Sequence, residues 1–300
     1  MKTILCLLVV LVALSDSGFA QNRKVSAASP IELWPNGAPG ATGNSDEDRP
    51  AIIPVLPTAS NSTGAAVLIC PGGGFMTRAT DHEGVLVSQW LKARGIASFI
   101  LRYRIRPLYS RREWLMDTQR AMQYIRANAR EFRVAPNRVG IIGFSAGADL
   151  AYDATLNPLP GNPEAADGIE RAGSRPDFQI LVYGASPQRP PAESDKLAAL
   201  PPAFMFCTAE DTGHIRGMSE LYTEMLRAKV PVEAHFFLSG EHGVGFALGD
   251  PVLGEYPGLL MNWMIGNGFL TGGRRFSVSG VVKLDHVPLI RGMIILTPVD

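Results

Sequence analysis

A serine between glycines stands where an apolar segment gives way to a helical one. Residues 143–147 read GFSAG, and they follow the apolar run at residues 139–142. A G-x-S-x-G turn that joins a strand to a helix presents the serine hydroxyl at the top of a sheet, where it can act as a nucleophile. The flanking glycines fit because the turn is too sharp for bulky neighbours. The alternative is a tight turn with no chemical role, but the strand-to-helix context favours Ser145 as a nucleophile.

Such a serine needs a base, because a hydroxyl alone is a weak nucleophile. The chain has five histidines, His82, His214, His235, His242 and His286. In the chain order serine, acid, histidine that accompanies this kind of turn, His242 is the best candidate. It follows the apolar run at residues 232–238 and has small neighbours. His235 lies inside that run, His214 is interpreted as part of the pocket wall, and His82 lies near a glycine-rich segment.

A carboxylate must then orient the imidazole and stabilise its charged form. Asp211 follows the apolar run at residues 203–207 and is the predicted acid. Glu210 is the second candidate and Asp177 the third. Each of them could instead be a surface carboxylate or a helix cap.

Three consecutive glycines, residues 72–74, end an earlier apolar run. Glycines let the backbone approach a substrate closely, and backbone N–H groups are the usual donors to the oxyanion of acyl transfer. We therefore predict an oxyanion hole made by the N–H groups of Gly73 or Gly74 and of Ala146. The alternative is a flexible turn.

The elements that must position these residues alternate regularly. Apolar runs and helical segments follow one another, which predicts an α/β fold with a mostly parallel sheet and helices on both faces. Strands are expected at residues 51–56, 65–70, 96–103, 138–142, 178–183, 203–207 and 232–238, and helices at 84–93, 115–129, 145–154, 218–228 and 259–265. Residues 31–34 and 51–56 are expected edge strands, the second because of Pro54, and Asp117 is expected to help open the helix at 115–129. Ser145, Asp211, His242 and the three glycines each follow a predicted strand, where sites of such sheets lie.

The two ends of the chain differ from this pattern. Residues 1–20 combine Lys2, an apolar run at residues 4–14 and small residues before Ala20, as in a secretory signal peptide. The mature protein is therefore expected to be secreted or periplasmic. The apolar run is half the ~20 residues of a spanning helix, so no membrane partner is expected for the mature form. Residues 21–272 are the predicted catalytic domain, and residues 273–300 form a β-rich tail that resembles the start of a truncated β-sandwich.

Charge and cysteine content exclude some partners and pairings. Lys plus Arg and Asp plus Glu each number 28, so the formal net charge is zero. No nucleic-acid partner is expected, because nucleic-acid binding needs a concentrated basic surface. Cys70 and Cys207 end different apolar runs and are predicted to be buried free thiols.

Several arginines follow the apolar run at residues 96–103. They are Arg102, Arg104, Arg106, Arg111 and Arg112. A solvated loop with one structural arginine is favoured over a contact with acidic sugars.

Together these segments resemble a branch of the α/β-hydrolases that contains acetylxylan-esterase-like and feruloyl-esterase-like proteins. The matching segments span most of residues 30–270 in order: 70–75 (CPGGGF), 82–84 and 90–91 (HEG and WL), 95–106 (GIASFILRYRIR), 143–147 (GFSAG), 175–183 (RPDFQILVY), 209–211 (AED) and 240–246 (GEHGVGF). The resemblance implies the α/β-hydrolase fold, with Ser145 as nucleophile, Asp211 as acid and His242 as base, and no metal or cofactor. Two features depart from the family: Ala148 stands where many relatives have a second glycine, and the acid loop lacks their proline and valines.

The predicted function is hydrolysis of carboxylic esters through an acyl-enzyme, and by resemblance the substrate is an acetylated xylan-type polysaccharide or oligosaccharide. One alternative is a serine peptidase or a lipase on the same fold, which a long lid or a propeller domain would favour. The other is a non-catalytic carbohydrate-binding homologue, against which the intact serine, acid and histidine argue. The sequence leaves the oligomeric state open.

Overall fold

A computed structural model describes residues 29–187, 194–270, 283–284 and 287–288. The predicted signal peptide, residues 1–20, and most of the tail at residues 273–300 lie outside these ranges. Within the described residues, eight strands form one sheet in the order β1-β2-β4-β3-β5-β6-β7-β8. The strands are β1 (Ile31–Glu32), β2 (Ala51–Val55), β3 (Ala66–Cys70), β4 (Ala97–Arg102), β5 (Val139–Phe144), β6 (Gln179–Val182), β7 (Ala203–Thr208) and β8 (Val232–Phe237). In the tail, β9 (Lys283–Leu284) pairs antiparallel with β10 (Val287–Pro288).

The sheet is mostly parallel, as predicted. All neighbours from β4 to β8 run parallel, whereas β2 is antiparallel to β4 and β1 is antiparallel to β2. Every residue of β3, β5, β6 and β7 is buried, which is the pattern of strands covered on both faces.

The prediction of β2 as an edge strand is wrong, because β1 adds one more strand outside it. The proline is tolerated because β1 is so short. It pairs only with Ala51 and Ile52, so Pro54 faces a stretch where no outer strand needs an N–H donor.

The helices pack against this sheet. They are α1 (Leu86–Ala93), α2 (Arg111–Ala127), α3 (Ala146–Leu156), α4 (Ser194–Ala198), α5 (Ile215–Arg227) and α6 (Tyr256–Gly266). A single π-helical turn, Asp81–Val85, runs into α1, and a 3₁₀ turn, Leu253–Glu255, runs into α6. Among the described residues, none of these helices has the length and apolar character needed to cross a membrane.

The start of α2 corrects one expectation. Ser110 and Glu113 form a capping box there, and this arrangement satisfies the first free N–H groups of a helix. Asp117 does not open the helix. It lies inside α2, fully buried, where its Oδ1 accepts a hydrogen bond from Nη2 of Arg104 at 2.8 Å. Arg104 is thus the structural arginine of the cluster.

Cys70 and Cys207 are buried free thiols, as predicted. Cys70 ends β3 and Cys207 lies in β7, and β5 and β6 separate these two strands. Burial raises the pKa of both thiols. Each is therefore a neutral, apolar part of the core.

Candidate active site

Ser145 lies in the turn between β5 and α3 in a strained conformation, with φ of 51° and ψ of −124°. The flanking glycines allow this turn. A Cβ atom on Gly143 would lie 2.1 Å from the carbonyl oxygen of Gly147, and one on Gly147 would lie 2.0 Å from that of Cys70. Both positions therefore exclude any side chain. The turn holds the serine at the carboxyl end of the central strand.

Three predicted residues meet at this turn. The Oγ atom of Ser145 lies 2.7 Å from Nε2 of His242, and Nδ1 of His242 lies 2.7 Å from Oδ2 of Asp211. A carboxylate can only accept, so Nδ1 carries the proton and Nε2 is free to accept the serine proton. Ser145 after β5, His242 after β8 and Asp211 after β7 thus form one continuous chain of hydrogen bonds.

Three of the other candidate acids and bases make different contacts, outside the chain of hydrogen bonds from Ser145 to Asp211. Glu210 accepts the N–H of Gly240 at 2.9 Å, and Asp177 accepts the N–H of Val139 at 2.8 Å. Val139 begins β5, so Asp177 lies at the end of the sheet opposite Ser145. His235 contacts Glu233 within β8 at 2.8 Å. His286 lies outside the described residues.

The environment of Asp211 favours its charged form. Burial would raise the pKa of this carboxyl, but hydrogen bonds from His242 and from His214 together hold the pKa below its ordinary value. The side chain is only 5% exposed. A carboxylate that stays ionised and nearly buried beside an imidazole stabilises the imidazolium that forms when the base takes a proton.

His214 is much closer to the site than the sequence indicated. Its Nδ1 lies 2.8 Å from Oδ1 of Asp211, and its ring stacks on that of His242, with 4.2 Å between centroids and 15° between planes. The sequence interpretation made it only part of the pocket wall. The available signal was its spacing, three residues after Asp211 in the turn that leads into α5.

Asp211, His214 and His242 also have the residue types of a metal site, and their ligand atoms lie within 4.8 Å of one another. Nδ1 of each histidine faces one oxygen of the Asp211 carboxylate, however, at 2.7 Å for His242 and 2.8 Å for His214. The arrangement fits a shared carboxylate with two imidazole donors.

The glycine loop lies directly beside the serine. A Cβ atom on Gly72 would lie 2.9 Å from Cβ of Ser145, and one on Gly73, where φ is 119°, would lie 2.5 Å from the Thr77 carbonyl oxygen. Gly74 has φ of 62° and open space around it. Within the described part of the chain, the N–H groups of Gly73, Gly74 and Ala146 donate to no other residue. Ala146 is the first residue of α3, whose N-terminus attracts negative charge.

Glu83 is a buried residue of the site that sequence reasoning missed. Its Oε2 accepts the N–H of Gly72 at 2.6 Å, and its Oε1 accepts the hydroxyl of Tyr183 at 2.8 Å. The hydroxyl oxygen of Tyr183 in turn accepts the N–H of Gly245 at 2.7 Å. This network connects the glycine loop with the loop of His242. In the sequence, Glu83 belongs to the HEG segment of the family resemblance, and no role was assigned to it.

A cleft of about 820 Å³ is lined by residues of α3, the helix that follows Ser145, and by Phe75, which follows the three glycines. One wall comes from α3, where Asp149 donates its N–H to the Ser145 carbonyl. The other contains Phe75 and Trp114, whose rings stack at 3.9 Å, and Arg106, which lies 5.5 Å from the Trp114 ring. The cleft is of the size that small-molecule sites have. Its aromatic and charged walls can hold a group much larger than an acetyl.

Comparison with known proteins places the chain. The BD-FAE family model matches residues 55–168. The acetylxylan esterase of Xylanibacter ruminicola is 34% identical over 140 residues, which are 46% of this chain and 26% of that protein. The crystal structure of an acetyl ester-xyloside bifunctional hydrolase from Caldicellulosiruptor lactoaceticus is 27% identical, covers 81% of this chain and 98% of that one, and superposes with a TM-score of 0.72. The chain has the α/β-hydrolase fold, and it is similar to acetylxylan-esterase-like proteins.

The curated relatives of this α/β-hydrolase are considerably longer. The endo-1,4-beta-xylanase B of Butyrivibrio fibrisolvens is 28% identical over 213 residues, and the match covers 60% of this chain and 32% of that protein. The chain thus spans about a quarter to a third of the curated relatives that it matches. The α/β-hydrolase fold carries over from these likenesses.

Proposed function

We propose that this protein is a serine esterase that cleaves carboxylic esters, with Ser145 as nucleophile, His242 as base and Asp211 as the acid that orients it. One observation carries the proposal: the two contacts of 2.7 Å that link Oγ of Ser145 to His242 and His242 to Asp211. Nucleophile, base and orienting carboxylate at hydrogen-bond distance are the arrangement that activates a serine.

The first half of the reaction forms an acyl-enzyme. His242 takes the hydroxyl proton through Nε2 while Oγ of Ser145 attacks the ester carbonyl carbon. The carbonyl oxygen becomes an oxyanion, and we assign its donors to the N–H groups of Ala146 and of Gly73 or Gly74. When the tetrahedral intermediate collapses, the C–O bond to the alcohol breaks and His242 gives its proton to the leaving oxygen.

The second half releases the acid. Water enters in place of the alcohol, His242 removes one of its protons, and the hydroxide oxygen attacks the acyl carbon. Collapse of the second intermediate breaks the bond to Oγ of Ser145, which recovers its proton from His242. The charge on His242 in both halves is balanced by Asp211.

The substrate that we propose is an acetylated xylan-type polysaccharide or oligosaccharide. The names of the Xylanibacter ruminicola and Caldicellulosiruptor lactoaceticus relatives support the acetyl group and the xylose-based alcohol. The cleft between α3 and Phe75 supports a bulky alcohol, because its volume far exceeds that of an acetyl group. Export through the signal peptide predicted at residues 1–20 would bring the enzyme to such a polymer.

The test is a panel of acetyl, butyryl and feruloyl esters that includes acetylated xylan. The wild-type protein is expected to release acetate and the variant Ser145→Ala to release none. The variant Ser60→Ala is the matched control, because Ser60 is exposed and belongs neither to the proposed triad nor to the lining of the cleft. If the wild type is inactive on every ester, or if Ser145→Ala retains full activity, the proposal is wrong.

A further inference from the structure

We propose that His214 is a positioning residue of this site, which holds Asp211 and His242 in the geometry that ester hydrolysis requires. The inference rests on the proposed function, since it assigns a role within the same reaction. It adds a fourth side chain to the proposed triad. This side chain acts through Asp211 and His242.

The first observation is the division of the Asp211 carboxylate between two imidazoles. Oδ2 faces Nδ1 of His242 at 2.7 Å, and Oδ1 faces Nδ1 of His214 at 2.8 Å. A carboxylate held through one oxygen can still rotate about its Cβ–Cγ bond. A second donor at the other oxygen fixes this rotation, so the oxygen that orients His242 stays in place.

The second observation is the contact between the rings. His242 lies on a loop and its side chain is 38% exposed, so burial alone does not hold it. The ring of His214 covers one of its faces at 4.2 Å, and the ring of Tyr183 meets it edge-on at 5.1 Å. These two contacts limit the rotation that would move Nε2 away from Ser145.

The third observation is that His214 neither caps α5 through its side chain nor is buried in the core. It stands at the N-cap position of α5, but its side chain makes no capping hydrogen bond to that helix. Its side chain is 36% exposed, so it contributes little to the core. The side-chain hydrogen bond that it makes is directed at Asp211. A role in the site explains this placement better than a role in helix stability.

The experiment compares His214→Asn with His214→Phe. The amide nitrogen of asparagine lies as many bonds from Cβ as Nδ1 does, so it can still donate to Oδ1 of Asp211. Phenylalanine keeps a ring against His242 but has no donor. We expect His214→Phe to lower kcat by about 10- to 100-fold, the cost of a small misplacement, with little change in KM. We expect His214→Asn to stay within about threefold of the wild-type kcat, because it keeps the donor to Asp211 while the Tyr183 ring still limits the rotation of His242.

Proton NMR of the substrate-free protein gives a second readout that does not depend on ester turnover. The wild type should show a low-field N–H signal for Nδ1 of His242, because this N–H group donates a hydrogen bond to the Asp211 carboxylate. The signal should persist in His214→Asn and should shift or broaden by exchange in His214→Phe. If instead the wild type cleaves no ester and the NMR pattern holds, the proposed function fails while the positioning role stands.

Three results would overturn the inference. His214→Phe could keep the wild-type kcat and the wild-type NMR signal, which would show that the donor to Asp211 is not needed. The two variants could be equally impaired, so that the hydrogen bond is not the cause. The loss could fall on KM alone, which would make His214 a residue of substrate binding.

Discussion

Glu83 and Tyr183 share a hydrogen bond of 2.8 Å although they are 100 residues apart in the chain. Through it, the loop that carries the three glycines is connected to the loop that carries His242. The carboxylate is buried and accepts on both oxygens, from Tyr183 and from Gly72. Two sides of the candidate site, the proposed oxyanion donors and the proposed base, are therefore held by one side chain.

We predict that Glu83→Gln weakens both the fold and the activity. An amide can accept through one atom only, so either the Gly72 N–H or the Tyr183 hydroxyl loses its acceptor. An unsatisfied buried polar group costs about 1–3 kcal/mol, and urea unfolding should show a loss of this size. The exposed Glu164 supplies the control, because Glu164→Gln should leave the unfolding free energy unchanged. Equal stabilities of the two variants would show that the Glu83 network contributes nothing.

The serine turn gives a second prediction. Gly147→Ala places a Cβ atom 2.0 Å from the carbonyl oxygen of Cys70, and the backbone of β3 cannot move away without disturbing the sheet. We expect a loss of about 3 kcal/mol or more, or failure to fold. Gly258→Ala in α6 is the matched control, since a Cβ atom there meets nothing within 4 Å. That variant should change stability by no more than about 1 kcal/mol, and similar values for both variants would refute the steric argument.

The lowered pKa of Asp211 predicts how stability depends on pH. A carboxyl whose pKa is lower in the folded state stabilises the fold above its unfolded-state pKa, and this stabilisation is lost as the pH falls through the folded-state pKa. Asp211→Asn should therefore be less stable than the wild type at neutral pH. The gap should close as the pH falls below the ordinary aspartate value of about 3.9.

The measurement is the unfolding free energy of both proteins as a function of pH. Asp195→Asn is the control, because this exposed aspartate should give a curve parallel to that of the wild type. A gap between wild type and Asp211→Asn that stays constant down to acid pH would contradict a lowered pKa of the hydrogen-bonded Asp211 carboxyl.

The sequence predicts most of the strands because each is a short apolar run between polar turns. It also predicts which loops reach the site, because residues at the carboxyl ends of parallel strands meet at one edge of the sheet. The position of β2 inside the sheet, and not at its edge, could not be predicted from such a pattern. It depends on β1, a strand of two residues whose pairing no local pattern specifies.

Contacts between distant charged residues were the other gap. Asp117 was expected at a helix start because acidic residues favour that position, but its partner is the buried Arg104. Glu83 stands in unremarkable surroundings in the sequence, and only the folded chain brings it to Gly72 and to Tyr183. Such pairings require three-dimensional proximity that spacing along the chain does not indicate.

The most direct test of the account is covalent labelling with a fluorophosphonate, which reacts with a serine that an adjacent base has activated. Intact mass measurement and peptide mapping of the wild type should show one adduct, located on Ser145. The variant Ser145→Ala should carry no label, and His242→Ala should react far more slowly. A label on another serine, or a wild-type protein that takes no label at all, would contradict the assignment of Ser145 as an activated nucleophile.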